Sequence, residues 1–276
     1  MEIEQAVARH YAHGSLEETI LNALAAAGRD VNRLTPKDLA PVDEFHVGGR
    51  QATVAFAEQF DPRPGMRLLD VGCGLGGAAR YFAHEHGCEV SGIDLSGEYV
   101  AVANALALRV GLGGRVACKQ GSALALSFAP GSFDGAYMFH VGMNIENKAK
   151  LFAEVRRVLT PSGRFGIYDV MRLAAGELSY PVPWASGAVS SFVAAAASYR
   201  RLLVEAGFEV LKERDRRGFA LEAFAQMRAR GAGAAPGPLG LHIVMGANAA
   251  QKVTNMIGDI SSGLIAPTEM ICRVAA

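Results

Sequence analysis

The sequence predicts an α/β fold built on a seven-stranded, mostly parallel sheet, and three observations carry that prediction. From Met66 onward, apolar runs of strand length alternate with helix-length stretches. The first run closes on a glycine-rich turn, LLDVGCGLGG at 68–77, of the kind that leads a strand into a helix. A lone apolar run, IAPTEMICRV at 265–274, follows a long helical stretch and supplies the last strand. Strands alternating with helices imply right-handed crossovers and hence parallel pairing.

The first sixty or so residues read as helical. Ser15 and Glu18 form a capping-box pattern ahead of ILNALAAAG, which Gly28 would stop. Thr35 and Pro36 open a second helix, and GGRQATVAFAEQF a third that ends near Asp61. DPRPG then turns the chain, so residues 1–62 form a helical cap. The core spans residues 63–215. In it MRLLDVG is a strand, GGAARYFAHEHG a helix, CEVSGID a strand and GEYVAVANALALRVG a helix. RVACKQ and FDGAYMFH follow as strands, then the helix NKAKLFAEVRRVL, a Thr-Pro-Ser-Gly turn at 160–163 and the strand GRFGIYDV. YRRLLVEAGFEVLKER adds one more helix and strand. Residues 216–264 are a helical insertion broken by a loop, GAGAAPGPLG at 231–240, and residues 265–276 hold the last strand. All 276 residues are expected to form a single domain.

Composition narrows the function. Twenty-seven basic residues balance 27 acidic ones, which argues against a nucleic-acid backbone or an anionic membrane as the main partner. The basic cluster KERDRR at 212–217 is interleaved with acids and reads as a solvated strand edge. Cys73, Cys88, Cys118 and Cys272 are scattered, so neither a disulfide framework nor a metal site is expected. His84 and His86 lie two apart at a helix end and diverge. The opening residues lack a basic start followed by an apolar run, and VSSFVAAAAS is too short to span a bilayer. A cytoplasmic protein with a small-molecule partner is the expectation; the oligomeric state stays open.

In an open parallel sheet, ligands sit at the carboxyl ends of the strands. Asp70 to Gly77, Asp94, Ser122 and His140 therefore share one crevice. Gly72, Gly74 and Gly77 match the dinucleotide spacing G-x-G-x-x-G. Asp94, ending VSGID, suits two ribose hydroxyls, in NAD or in an adenosyl ligand. Three features break the tie, the first being Asp70, whose charge would repel a pyrophosphate and attract an ammonium and a sulfonium.

RVLTPSG, the glycine turn DVGCGLGG, Asp94 and LLVEAGFEV before a lone last strand occur in a familiar order. Together they resemble the class I S-adenosylmethionine-dependent methyltransferases over residues 66–215 and the last strand. The resemblance implies a Rossmann-like sheet with its last strand antiparallel. It also implies S-adenosylmethionine as cofactor, S-adenosylhomocysteine as product, and contacts from Asp70, Gly72, Cys73, Gly74, Asp94, Leu95, Ser122, Ala123 and Phe139. The family often has an Asp after the third strand that accepts from the adenine amino group. Here the stretch is GSAL, so Ser122 takes that place as a weaker acceptor. DEFHVGGRQAT, FHVGMNIENK and YPVPWA further resemble methyltransferases of the sarcosine and dimethylglycine type.

Methyl transfer from a sulfonium is an in-line displacement, to which alignment can contribute ~7–11 kcal/mol. His140, after the fourth strand, is the candidate base, although a His there also suits a hydrogen bond to backbone or cofactor. His46 could close over the methionyl end, and Tyr11 either joins a lid or packs its helix. Tyr180 and Trp184, in the long loop after the fifth strand, would wall the acceptor; packing of the insertion onto the core is the alternative for Trp184. Nitrogen is the first choice of acceptor atom. The alternatives are carbon or oxygen on an apolar metabolite, a non-catalytic cofactor-binding subunit and an NAD-dependent oxidoreductase.

Overall fold

A computed structural model describes residues 2–11, 14–231, 237–246 and 248–275. Four helices come first: α1 (Glu2–His10), α2 (Leu16–Ala26), α3 (Pro36–Asp43) and α4 (Gly49–Phe60). The alternating part then runs β1 (Arg67–Val71), α5 (Gly77–His86), β2 (Glu89–Asp94), α6 (Gly97–Arg109), β3 (Val116–Gln120) and β4 (Phe133–Phe139). It continues through α7 (Lys148–Val158), β5 (Leu159–Arg172), α8 (Ala196–Glu205) and β6 (Phe208–Asp215). Helices α9 (Arg217–Gly231), α10 (His242–Met245) and α11 (Ala249–Ser261) precede β7 (Ile265–Val274).

The seven strands form one sheet in the order β3-β2-β1-β4-β5-β7-β6. Strands β1 to β5 pair in parallel, while β7 is antiparallel to both β5 and β6. Helices cover both faces, so the central strands are buried nearly throughout and read as apolar runs. One face packs Phe56, Phe60, Phe82 and Tyr137; the other packs Phe152, Phe165 and Phe208. Each such ring contributes ~1.5–3 kcal/mol by leaving water. The order of strands reverses between β1 and β4, which marks where a ligand crevice opens.

Local chemistry sets most helix ends. The Thr35 N–H and hydroxyl both donate to the Asp38 carboxylate, at 2.9 and 2.6 Å, and fix the start of α3. Ser96 and Asn147 cap α6 and α7 through side-chain oxygens. The box expected at Ser15 and Glu18 does not form. The Leu16 N–H instead donates to Glu98 of α6 at 3.1 Å, so a tertiary partner takes the place of the local cap.

The Thr-Pro-Ser-Gly segment is also not a free turn. β5 begins at Leu159 opposite Phe133, and pairing resumes at Arg164 opposite Gly135. The residues between bulge out of one continuous strand, because β4 supplies too few partners there. KERDRR lies on the edge strand β6 and the start of α9, where Glu213 pairs with Arg200 and Arg214 with Glu269. Of the loop expected at 231–240, residues 232–236 lie outside the described residues; α9 runs through Gly231. No helix among the described residues is long and apolar enough to cross a membrane.

Candidate active site

A cavity of about 1300 Å³ opens at the carboxyl ends of β1, β2 and β4. Its floor is the glycine turn and the loops after those strands. Its roof comes from α1, the α3–α4 connection and the insertion α9–α11. Pockets for a single drug-sized ligand usually measure ~300–1,000 Å³, so this space is larger than one such ligand needs.

The floor is built from the backbone outward. Gly72 and Cys73 donate their N–H groups to the Ile93 carbonyl, at 2.8 and 3.0 Å, which bends the chain back over β2. Gly74 sits at φ +52° with nothing beside the position a Cβ would take, so a ligand can lie against bare backbone. Gly77 is small for another reason: a Cβ there would stand 2.2 Å from the Asp43 carbonyl oxygen, where α5 meets α3. That contact is reinforced by Arg80 and Asp43, a fully buried ion pair at 2.7 Å.

Asp94 ties the floor together. One carboxylate oxygen accepts from Gly74 N and the other from Ser96 N, both at 2.9 Å. Each oxygen keeps a further lone pair, enough for the two hydroxyls of a ribose. Asp70 is only 2% exposed and accepts one hydrogen bond, from the Tyr137 hydroxyl at 3.1 Å. Burial pushes its carboxyl well above the usual carboxylate range, since no cationic side chain among the described residues pairs with it. Leu95, Ala123, Phe139 and Cys73 border the same cavity.

His140 follows β4 at φ +54°, a left-handed conformation rare for a side chain of this size. Its backbone N–H donates to the Tyr168 carbonyl at 2.7 Å, and the residue borders the cavity. The Nε2 atom is buried with no hydrogen-bond partner among the described residues. Burial, and secondarily the neighbouring His46, hold the imidazole well below its usual pKa, so it is neutral.

His46 stacks on Phe139 at 4.9 Å between ring centres, with Nε2 3.1 Å from both the Gly49 carbonyl and the Thr53 hydroxyl. Burial brings it down to about 4 and raises its neighbour Glu44 to about 7, although Arg50 stands 2.8 Å from that carboxylate.

Two expected contact residues stand apart from the cavity lining. The Ser122 side chain is not part of the cavity wall: its hydroxyl donates to the Glu4 carboxylate of α1 and accepts from Leu124 N at 3.0 Å. Tyr180 also lies outside the cavity, packed against the cluster around Val182 and Ile260. Trp184 does reach the wall while being 2% exposed, and its indole donates to Ser191 at 3.0 Å. Tyr11 borders the cavity just after α1, and its hydroxyl donates to Asn144 at 3.3 Å.

Much of the roof had no signal in the sequence. Phe224, Met227, Leu241, Val244, Met245 and Met256 line the cavity from the insertion, whose apolar residues follow no clear helical stripe in α9.

Residues 69–167 match the model of a methyltransferase domain family. A sterol 24-C-methyltransferase of Gibberella zeae is 36% identical over 107 residues, which are 39% of this chain and 28% of that protein. This chain therefore spans less than a third of that relative's length. An O-methyltransferase of Pyrenophora dematioidea is 28% identical over 173 residues, 62% of this chain and 65% of that one. In three dimensions the geranyl diphosphate C-methyltransferase of Streptomyces coelicolor A3(2) superposes with a TM-score of 0.72 at 16% identity, covering 100% and 99% of the two chains. Residues 69–167 are thus similar to a methyltransferase domain, and the whole chain has the fold of that C-methyltransferase.

Proposed function

We propose that this protein transfers a methyl group from S-adenosylmethionine to carbon or oxygen of a neutral, largely apolar small molecule. The observation that carries the reading is the pairing of a polar floor, with Asp70 and Asp94 awaiting ligand partners, and an apolar roof in one cavity of about 1300 Å³. Bound at the floor, the cofactor supplies a methyl group made electrophilic by its sulfonium. Asp94 would hold the ribose hydroxyls, Asp70 would face the ammonium end, and Gly74 lets the ligand approach the backbone.

The acceptor end of the cavity decides between nitrogen and the alternatives. A protonated amine would enter an apolar space already holding a cation, an arrangement that costs free energy both by desolvation and by repulsion. A phenol, an enol or an enolisable carbon enters neutral and becomes anionic only as its proton leaves. His140 is fitted to take that proton at Nε2, which is left without a protein partner. The relatives that act at carbon and at oxygen support the same choice over nitrogen. A tiny zwitterion such as dimethylglycine would leave the Phe224 and Met256 side of the cavity unfilled.

The test is S-adenosylhomocysteine formation by the purified protein, with apolar phenols and enols set against amines of similar size. Turnover with the former group and a fall in kcat of about 10²-fold in His140→Gln are expected. Turnover with amines alone overturns the acceptor assignment. Failure to bind S-adenosylhomocysteine at all overturns the whole reading.

A further inference from the structure

We infer that Glu4, on the first helix, is the residue that reads the adenine of the cofactor, in place of an acid on the loop after β3. The inference rests on the proposed use of S-adenosylmethionine and concerns which side chain selects its base.

Its first support is the layout of the sheet. The strands lie in the order β4, β1, β2, β3, and their carboxyl ends form one row along the cavity. Asp70 ends β1 and Asp94 ends β2. A ligand whose ammonium faces Asp70 and whose ribose meets Asp94 has its base carried onward, to the end of β3. There the cavity wall is Leu95, Gly121, Ala123 and Leu124, which offer apolar surface and backbone. Glu4 borders the same cavity from α1 and reaches this loop, because the Ser122 hydroxyl donates to its Oε1.

The second support is hydrogen-bond capacity. Ser122 spends its hydrogen on Glu4 and one of its two lone pairs on Leu124 N, so it keeps a single neutral acceptor position, weaker than a carboxylate oxygen. The Glu4 carboxylate is acceptor-only. With Oε1 held by Ser122, Oε2 remains able to accept from an exocyclic amino group such as that of adenine. A 6-oxo purine would present an oxygen to that oxygen and be repelled. Ser122 is thus a positioning residue, and the charge comes from a helix 118 residues away in sequence. Adenine binding and the seating of α1 over the cavity become one event.

The experiment is calorimetric titration of the wild type, Glu4→Ala, Glu4→Gln and Ser122→Ala with S-adenosylhomocysteine and with its 6-oxo analogue, S-inosylhomocysteine. Ligand-free melting curves control for folding. The wild type should favour the adenosyl ligand by roughly 10- to 100-fold, the range for one hydrogen bond to a charged group. Glu4→Ala should lose about 10-fold in affinity for it and most of the discrimination. Glu4→Gln, whose amide can rotate to donate to a 6-oxo group, should shift preference toward the inosyl ligand, and Ser122→Ala should fall between. Wild-type binding with unaltered affinity and discrimination in both Glu4 variants overturns this inference alone. A wild type that binds neither ligand overturns it together with the proposed cofactor.

Discussion

Replacing Asp94 by alanine separates two roles that the structure gives to one carboxylate. It accepts from Gly74 N and Ser96 N at 2.9 Å, and so joins the glycine turn to the start of α6. Without it both N–H groups lose their partner at a half-buried site. An unmet group costs ~1–3 kcal/mol, and water reaching the site recovers part of that, leaving about 2 kcal/mol of lost stability. For a chain of this size that lowers Tm by roughly 4–8 °C. The ribose hydroxyls add a separate loss. Two hydrogen bonds to a charged acceptor contribute ~3–6 kcal/mol, so Kd for S-adenosylhomocysteine should rise by about 10²- to 10⁴-fold. Asp94→Asn, which keeps one acceptor oxygen, should lose about half as much on the free-energy scale. Calorimetric titration reads the affinity and thermal melting the stability. A folded Asp94→Ala protein with Kd within about threefold of wild type would refute the ribose assignment and leave Asp94 as a strut for the turn.

Two further perturbations test the frame around the site. Gly77→Ala drives a Cβ to 2.2 Å from the Asp43 carbonyl oxygen, so α5 and α3 must separate; a loss of ~2 kcal/mol or more is expected, and an unchanged melting temperature would contradict it. Glu44→Gln tests the buried carboxyl raised from 4.5 to about 7. Between those pH values the folded chain holds a proton on Glu44 that the unfolded chain does not, so this group stabilises the fold as pH falls through 7. The glutamine variant lacks the gain, and the stability gap between it and wild type should widen by roughly 3 kcal/mol from pH 7 to pH 4.5. Denaturant titrations at several pH values would measure it, and a gap independent of pH would show that Glu44 stays ionised beside Arg50.

The parts of the site that could be read from sequence are those whose chemistry is local. Asp70, Asp94 and the glycines announce themselves within a strand and the turn that follows it, and the alternation of elements places them at one edge of the sheet. The same local grammar fails where a distant partner intervenes. Ser15 looks like a cap until Glu98 of α6 takes the adjacent N–H. Ser122 reads as a ligand contact on its own, and nothing local announces that its hydroxyl donates to Glu4 of α1. Tyr180 and Trp184 sit four residues apart in one aromatic loop, yet only Trp184 reaches the cavity, because the path of that loop is set by packing against the insertion. Met227, Met245 and Met256 of the roof converge from α9, α10 and α11, whose mutual placement no pattern of spacing encodes.

The helices that roof the acceptor space leave the sheet at the end of β6 and return to it at the start of β7. Those two strands are antiparallel neighbours, paired from Phe208 opposite Val274 to Asp215 opposite Thr268. The excursion therefore begins and ends at one clamp, and the ladder of β6 and β7 closes without backbone bonds from the helices between them, although Ala220 and Ile260 pack on Val170 and Ile265. Evolution can lengthen, shorten or rewrite such a segment without disturbing the floor that meets the cofactor. Relatives should then diverge fastest between these two stems, and an exchange of residues 216–264 between homologues is the smallest transplant that would carry a new acceptor preference with it.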